Sequence, residues 1–274
     1  MRHFLIALLG LLVVLADAPG HAAPRAERWE RWTAHDPQSA RHIKHAEWKD
    51  FLTRYLRIGG DGVNRVAYGE VTAADRARLD DYIARLAALP ISGYDRAEQM
   101  AYWINLYNAL VVRLVIDHYP IASIRDIGSG HGAPGGPWAK MLLEVEGVPL
   151  SLHDIAHRIL RPIWQDPRVH YALACGAVGC PNLQPEPFEA ENLDRQLSEA
   201  AMAYVNDRRC IRITEDRLGL PSIYRWYRED FGPTDRDVIN HLMAYAEPGL
   251  AMRLQRFETI SEDGFDWRLN DAAS

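Results

Sequence analysis

The sequence has few cysteines, no excess of positive charge and, beyond its first residues, no long apolar run. Three cysteines among 274 residues are too few for a fold held together by a network of disulfides. There are 31 Lys and Arg residues against 37 Asp and Glu residues, and the formal net charge is −6. Proteins that bind nucleic acid generally carry a basic stripe, so we expect no nucleic-acid partner. The most apolar later stretch, residues 109–116, contains Arg113, and we expect no stable membrane insertion.

The first residues have the pattern of a secretory signal peptide. A basic start at residues 2–3 precedes an apolar run over residues 4–16, and small residues follow up to Ala22. We predict cleavage after Ala22, which makes residues 1–22 a signal peptide and 23–274 a single domain that is periplasmic or secreted. The alternative is an uncleaved anchor, but a run of about 13 residues is shorter than the roughly 20 that a membrane-spanning helix needs.

The composition of the whole chain is that of a folded protein. Hydrophobic residues make up 48% and charged residues 25% of it, which is ordinary for a globular domain. Apolar residues recur at three- and four-residue steps over 72–89 and 96–118, which predicts two helices, and a third is predicted over 151–163. Residues 141–150 predict a hairpin, and the apolar run 169–174 favours a buried strand, although its length also fits a helix. The predicted fold class is α+β, rich in helices with a small sheet.

A glycine-rich stretch over residues 124–138 does not match a nucleotide-binding loop. It lacks the Lys-Ser/Thr ending of a phosphate-binding loop, and no clear strand precedes it. We interpret it as a lid or a crossing, and we predict no cofactor.

Two of the three cysteines, Cys175 and Cys180, lie just after the apolar run 169–174. A side chain at the end of a buried strand is held rigidly and still reaches solvent, so Cys175 is a candidate nucleophile. An oxidising compartment also permits a disulfide between Cys175 and Cys180, and two inert buried cysteines are the third possibility. The remaining cysteine, Cys210, is predicted to lie in a core strand.

His153 and His157 lie one helical turn apart on the predicted helix 151–163, at the edge of its apolar stripe. Imidazoles at that position line a cleft or serve as partly buried structural side chains, and the sequence leaves both open. The string from His153 to His157 differs by one residue, Asp154 for Glu, from the zinc-protease pattern His-Glu-x-x-His. A zinc hydrolase is therefore an alternative, although no spacing specifies a third ligand and Asp154 can instead pair with Ser151 at the helix start.

Aromatic and basic side chains supply further candidate contacts. Trp103 and Tyr107 are more typical of core packing than of a cofactor site. Arg161 and His170 flank the histidines and the cysteines in sequence. They can offer positive charge to a substrate carboxylate, or simply pair with Asp166.

Four blocks of the sequence together carry a resemblance to a known family. They read RAEQMAYWINLYNAL (96–110), LSLHDIAHRILR (150–161), DPRVHYALACG (166–176) and SIYRWYREDF (222–231), with Cys180-Pro181 between the last two. In this order they resemble the exported bacterial members of the domain of unknown function 547, with a core over about residues 60–245.

The resemblance implies a thiol-centred family related to papain-like or transglutaminase-like folds. The family pattern has a cysteine at Cys175 and a histidine at His157, whereas serine replaces Cys180 in some relatives, which favours Cys175 as the chemical residue. The chain departs from the pattern at Ala156, where Glu is expected, and at His153, where Asn is usual. The first departure removes a carboxylate beside His157, and the second makes the zinc-like string look accidental.

We therefore expect thiol-dependent acyl transfer to, or hydrolysis of, an amide or thioester in a small molecule or peptide. Cys175 is the predicted nucleophile and His157 its general base. Asn105, or Asn108 three residues later, is predicted to fix the tautomer of His157, and N–H groups near Gly176 are predicted to bind the oxyanion. The predicted substrate-binding residues are Trp103, Asn108, Arg161, His170 and Gly176, and no metal is predicted. Two alternatives stay open, namely a non-catalytic periplasmic binding protein with a Cys175–Cys180 disulfide and a zinc hydrolase that uses His153 and His157.

Overall fold

The computed structural model describes residues 24–128 and 136–273. In these ranges the fold is rich in helices and has small sheets, which confirms the predicted α+β class. The predicted signal peptide, residues 1–22, and part of the glycine-rich stretch, residues 129–135, lie outside the described residues. Among the described residues, no helix is both long and apolar enough to cross a membrane.

Three α-helices lie in the N-terminal half of the described residues. They are α1 (Ala46–Tyr55), α2 (Ala73–Ala87) and α3 (Arg96–His118). A π-helix (Asp154–Leu160) leads directly into α4 (Arg161–Trp164), and α5 (Val169–Ala172) precedes the cysteines. The C-terminal part contains α6 (Leu193–Val205), α7 (Ile223–Trp226), α8 (Arg228–Phe231), α9 (Asp235–Tyr245) and α10 (Pro248–Leu254).

The strands are short and form three separate sheets in the described ranges. Strands β1 (Leu56–Ile58) and β2 (Asn64–Val66) pair antiparallel, as do β3 (Met141–Val145) and β4 (Val148–Ser151). In the third sheet β6 (Leu218–Pro221) lies between β5 (Arg212–Ile213), which is antiparallel to it, and β7 (Glu262–Gly264), which is parallel. The predicted hairpin over 141–150 is confirmed, because Val145 pairs with Val148 across the two-residue turn Glu146-Gly147.

Helix α3 is central to the larger of two apolar clusters. The side chain of Asp95 accepts hydrogen bonds from the N–H groups of Ala97 and Glu98, and this cap starts the helix. Pro120 follows its end, since the residue before a proline avoids the helical conformation. From residue 100 to 115 every side chain except Arg113 is buried, so the helix is enclosed on all sides. The enclosure places two polar side chains of α3, those of Asn105 and Asn108, in the protein interior.

The short helix α5 lies between the two apolar clusters. Val169 and Ala172 belong to the larger cluster, with α1 to α3, whereas Tyr171 belongs to the smaller one, with α6 and α9. The prediction of a strand over 169–174 is therefore wrong, because the run forms one helical turn followed by an extended segment at Leu173. Cys210 is buried as expected but precedes β5 instead of lying within it.

Candidate functional site

The predicted helix over 151–163 begins as the sequence indicates but winds differently. The N–H of Ser151 donates to Asp154 Oδ2 at 3.0 Å, and the N–H of Asp154 donates to Ser151 Oγ at 3.1 Å. From Asp154 to Leu160 the chain is a π-helix, in which the N–H of Arg161 reaches the carbonyl of Ala156, five residues earlier. Single turns of this wider helix recur at functional sites in other proteins. Here it carries His157 into the interior.

His157 is 8% exposed, so of the two roles left open by the sequence it has the buried one. Its Nδ1 atom lies 3.0 Å from Nη1 of Arg161. Because a guanidinium group can only donate, the neutral ring accepts at Nδ1 and carries its own proton on Nε2. Burial, and then the charge of Arg161, lowers the pKa of His157 well below its usual value. In this state Nε2 is a donor, so the ring is not arranged to take a proton from a thiol.

The side chain of Arg161 is only 2% exposed, and acidic groups compensate its charge. Its guanidinium contacts Asp230 Oδ2 at 2.5 Å and Glu229 Oε1 at 3.0 Å, and it donates to the carbonyl oxygen of Pro24 at 2.8 Å. A buried charge needs such partners, and together with His157 they take four of the five N–H donors of the guanidinium, which leaves little of it for a substrate carboxylate. The predicted pairing of Arg161 with Asp166 is not found, since Asp166 binds Arg168.

His170 and Asp230 form a histidine–carboxylate pair that the sequence analysis did not single out. His170 Nε2 lies 2.6 Å from Asp230 Oδ2, although the two residues are 60 positions apart. Burial opposes ionisation of Asp230, but hydrogen bonds from His170 and Arg161 outweigh it and lower the pKa of this carboxyl to about 2. Burial lowers the pKa of His170, so the neutral ring donates from Nε2 and keeps Nδ1 as an acceptor. The geometry of an oriented base is thus found at His170 and not at His157.

Tyr227 joins the two histidines. Its ring stacks on His170, with ring centroids 4.5 Å apart, and on His157, with centroids 5.5 Å apart. The guanidinium of Arg161 also lies over this ring, at 4.7 Å from its centroid. Tyr227 and Asp230 both belong to the last block of the resemblance, residues 222–231, which was the only sequence signal for them.

Asn105 and Asn108 hold backbone segments rather than a histidine ring. Asn105 donates to the carbonyl of Phe188 at 2.7 Å and accepts from the N–H of the same residue at 3.0 Å. Asn108 donates to the carbonyl of Ala172 and accepts from the N–H of Ala174, both at 2.9 Å. The hydrogen bonds of both amides in the described ranges go to these backbone groups. The role of Asn105 in orienting His157 stays a prediction, and Asn108 positions the segment that leads to Cys175.

Of the alternatives considered for the cysteines, the structure contains the disulfide between Cys175 and Cys180. Cys175 is half-buried, whereas Cys180 is 2% exposed. No hydrogen bond joins Cys175 to His157 among the described residues, and the thiol that the predicted reaction needs is absent in this oxidised state.

The loop that the disulfide closes is fixed by the C-terminal segment. The N–H of Val178 donates to the carbonyl of Arg268, and that of Gly179 to the carbonyl of Asp266, both at 2.8 Å. A Cβ atom at Gly179 would lie 2.7 Å from the backbone nitrogen of Asp266, so only glycine permits this approach. Gly176 has a φ of +75° and its carbonyl accepts from Asn270. Its contribution to an oxyanion site stays a prediction.

Trp103 lies in the core and does not face a cleft. Its side chain is 1% exposed and packs edge-on against Trp32 and Tyr102, with ring centroids 5.1 Å and 4.8 Å away. Core packing was the favoured interpretation of this residue, and the enclosure leaves no face for a substrate.

The zinc alternative lacks a complete set of ligands. The rings of His153 and His157 lie 5.0 Å apart. Within the ranges 24–128 and 136–273, however, no group of three or more His, Cys, Asp or Glu side chains can hold a metal ion. Arg161 also occupies Nδ1 of His157 with a cation. We therefore do not propose a zinc site.

A comparison with known protein families assigns part of this region to a family. Residues 91–205 match the family model described as "Protein of unknown function, DUF547". This segment is a DUF547 region. The match confirms the resemblance to the domain of unknown function 547 for three of its four blocks, whereas the fourth, with Tyr227 and Asp230, lies beyond its end. No curated protein and no solved structure matches the chain.

Substitution of Asn108 tests its assignment as a backbone clamp. Asn108→Ala leaves the buried carbonyl of Ala172 and the N–H of Ala174 without partners, and each such group costs about 1–3 kcal/mol. We expect the free energy of unfolding, measured by urea denaturation, to fall by about 2–5 kcal/mol. The exposed Asn240 on α9 is the matched control, and Asn240→Ala should change stability by no more than about 0.5 kcal/mol. Equal losses in the two variants would contradict the clamp.

The buried histidines make stability depend on pH. The pKa of His157 is lower in the folded chain than in the unfolded chain, so its contribution is complete above the unfolded value and is lost as pH falls. We expect the free energy of unfolding to decrease between pH 7.5 and pH 5. His157→Asn, which keeps an acceptor for Arg161, should reduce this slope by up to about 1.4 kcal/mol per pH unit.

The control for this slope is the exposed His35, and His35→Asn should change the slope less than His157→Asn does. Urea denaturation at four pH values measures all three proteins. A His157→Asn slope identical to that of the unmodified protein would show that the ring is not held neutral.

Proposed function

We propose that the protein is a non-catalytic binding protein for a small molecule or peptide, periplasmic or secreted, with a Cys175–Cys180 disulfide. The disulfide is the observation that carries the proposal, because it removes the thiol of Cys175, the predicted nucleophile. A disulfide is stable in an oxidising compartment, which agrees with the signal-like N-terminal sequence. His157, held by Arg161 as a neutral donor, supports the same conclusion.

A cleft beside the disulfide loop supports the binding function. It is an open cleft with a volume of about 780 Å³, a size found among small-molecule sites. One wall is formed by Val178 and Gly179 of the disulfide loop, and another by Phe265 and Trp267. The two aromatic rings contact each other, with centroids 4.6 Å apart, and both are half-buried.

The charges around the cleft favour an anionic ligand with an apolar face. Three arginines line it, of which Arg268 is paired with Asp266 and Arg209 with Asp207, so Arg212 is the one with the most distant acidic partner. Arg212 is exposed and its partner Glu262 is 3.7 Å away, a pair of the kind that contributes at most about 1 kcal/mol. A ligand carboxylate can therefore replace Glu262 as the partner of Arg212 while the aromatic wall covers the apolar part of the ligand.

Thiol-dependent hydrolysis by the reduced protein is the second candidate function. The observation in its favour is the difference in exposure between the two sulfur-bearing residues, since Cys175 is half-buried and Cys180 is enclosed. On reduction, Cys175 would be the thiol presented to an amide or thioester substrate.

The oxidation state of Cys175 decides between the two candidates. We expect the native mature protein to give no alkylation at Cys175 or Cys180 by mass spectrometry, and three alkylated cysteines after unfolding and reduction. We also expect no hydrolysis of a thioester by the native protein. Hydrolysis that appears only on reduction, survives Cys180→Ser and is abolished by Cys175→Ser would establish the second candidate instead.

Binding of a simple aromatic anion tests the cleft. We expect naphthoate to bind the native protein. Arg212→Gln should raise the dissociation constant of naphthoate about fivefold, measured by titration calorimetry. The matched control is Arg217→Gln, which removes an exposed arginine that does not line the cleft and should leave binding unchanged. Equal binding by both variants would remove the cleft from the proposal.

A further inference from the structure

The segment Pro24–Trp29 is held across the π-helix mainly through its backbone. The N–H of Glu27 donates to the carbonyl of His157 at 2.9 Å, and the N–H of Trp29 donates to the carbonyl of Arg158 at 3.0 Å. Arg161 donates to the carbonyl of Pro24, and the N–H of Ala26 donates to Glu229 Oε1 at 2.9 Å. We call this segment the arm, and the four groups that receive it, on His157, Arg158, Arg161 and Glu229, the arm site.

The acceptors of the arm site are created by a proline in the neighbouring helix. Pro162 has no N–H group. In the i→i−5 pattern its nitrogen would face the carbonyl of His157, and in the i→i−4 pattern that of Arg158. Pro162 therefore offers a hydrogen bond to neither carbonyl, and buried carbonyls need partners. The chain satisfies them with an extended backbone that runs alongside the helix.

The arm site contacts the backbone of the arm and one aromatic side chain, that of Trp29. Arg25, Glu27 and Arg28 have exposed side chains, so the site does not select them. Trp29 is half-buried, and the guanidinium of Arg158 lies 4.0 Å from its ring centroid. Arg158 is in turn fixed by Asp154 at 3.0 Å. The pattern of bonds is that of extended-peptide recognition, in which main-chain groups give affinity and a single pocket gives preference.

We propose that the arm site is a peptide-binding site which the chain's own arm occupies in cis. Its ligand is an extended peptide with an aromatic residue at the position of Trp29, bound through the two carbonyls, the arginine and the glutamate. Occupation in cis corresponds to a millimolar effective concentration, so a free peptide binds well only where the arm is weakened. The arm site is separate from the disulfide and from the cleft. The test of the arm site therefore does not depend on the tests of the proposed binding function.

The test uses the full mature chain and a fluorescent peptide, PRAERWERW, that copies residues 24–32. Glu27→Pro removes the N–H that binds His157 and so weakens the arm in cis. We expect this variant to bind the peptide about tenfold more tightly than the unmodified chain, by fluorescence anisotropy. Arg28→Pro is the matched control, since the N–H of Arg28 has no partner in the described ranges, and it should bind as the unmodified chain does.

Two further measurements keep the test decisive. A peptide with proline at the position of Glu27 should not bind to any of the chains. In the unmodified chain, excess peptide should speed hydrogen exchange at Glu27 and Trp29 by displacing the arm. Equal weak binding to all chains, tight binding of the proline-containing peptide, or exchange that does not respond to the peptide would each overturn the proposal.

Discussion

The buried guanidinium of Arg161 is the contact on which the arrangement of the site depends. It joins the carboxylates of Asp230 and Glu229, the ring of His157 and the carbonyl of Pro24, groups that come from three distant parts of the chain. A charge enclosed in this way stabilises the fold only if every partner is present, because removal of one leaves another buried and uncompensated. The same contact sets the tautomer of His157 and, through Asp230, that of His170.

The cysteines lie between two fixed points of the backbone. Before them, Asn108 holds the carbonyl of Ala172 and the N–H of Ala174, and after Cys175 the loop is bonded to the segment 266–270. Helix α3, which carries Asn108, is buried over most of its length. The position of the disulfide is therefore determined by the core and by the C-terminal segment together, and the rest of the loop has little freedom to reorganise around a substrate.

The elements that local sequence determines were predictable. Helices α2 and α3 and the hairpin of β3 and β4 follow from apolar periodicity and turn residues, and the pairing of Ser151 with Asp154 follows from their spacing. The π-helix was not predictable, because it depends on Pro162 and on a backbone segment that is far away in sequence. The run 169–174 gave no periodicity, and its helical turn at α5 results from packing against two clusters at once.

The candidate site was also predictable only in part from the sequence. Cys175, Cys180, His157 and His170 stood out by residue type, and the disulfide was among the alternatives. Asp230 did not stand out, because a carboxylate acquires its role only from the partners that the fold brings to it, here a histidine 60 positions away. The two asparagines were recognised as neighbours on one side of a helix, but their amides serve backbone groups that no sequence pattern identifies.

The arm has a consequence for the chain while it is being made. Pro24 and the guanidinium that receives its carbonyl are separated by 137 positions, so the arm leaves the ribosome long before its site exists. Through that interval the carbonyls and the guanidinium that bind the arm are not yet made, so its tryptophan and N–H groups stay available to other partners of the nascent chain.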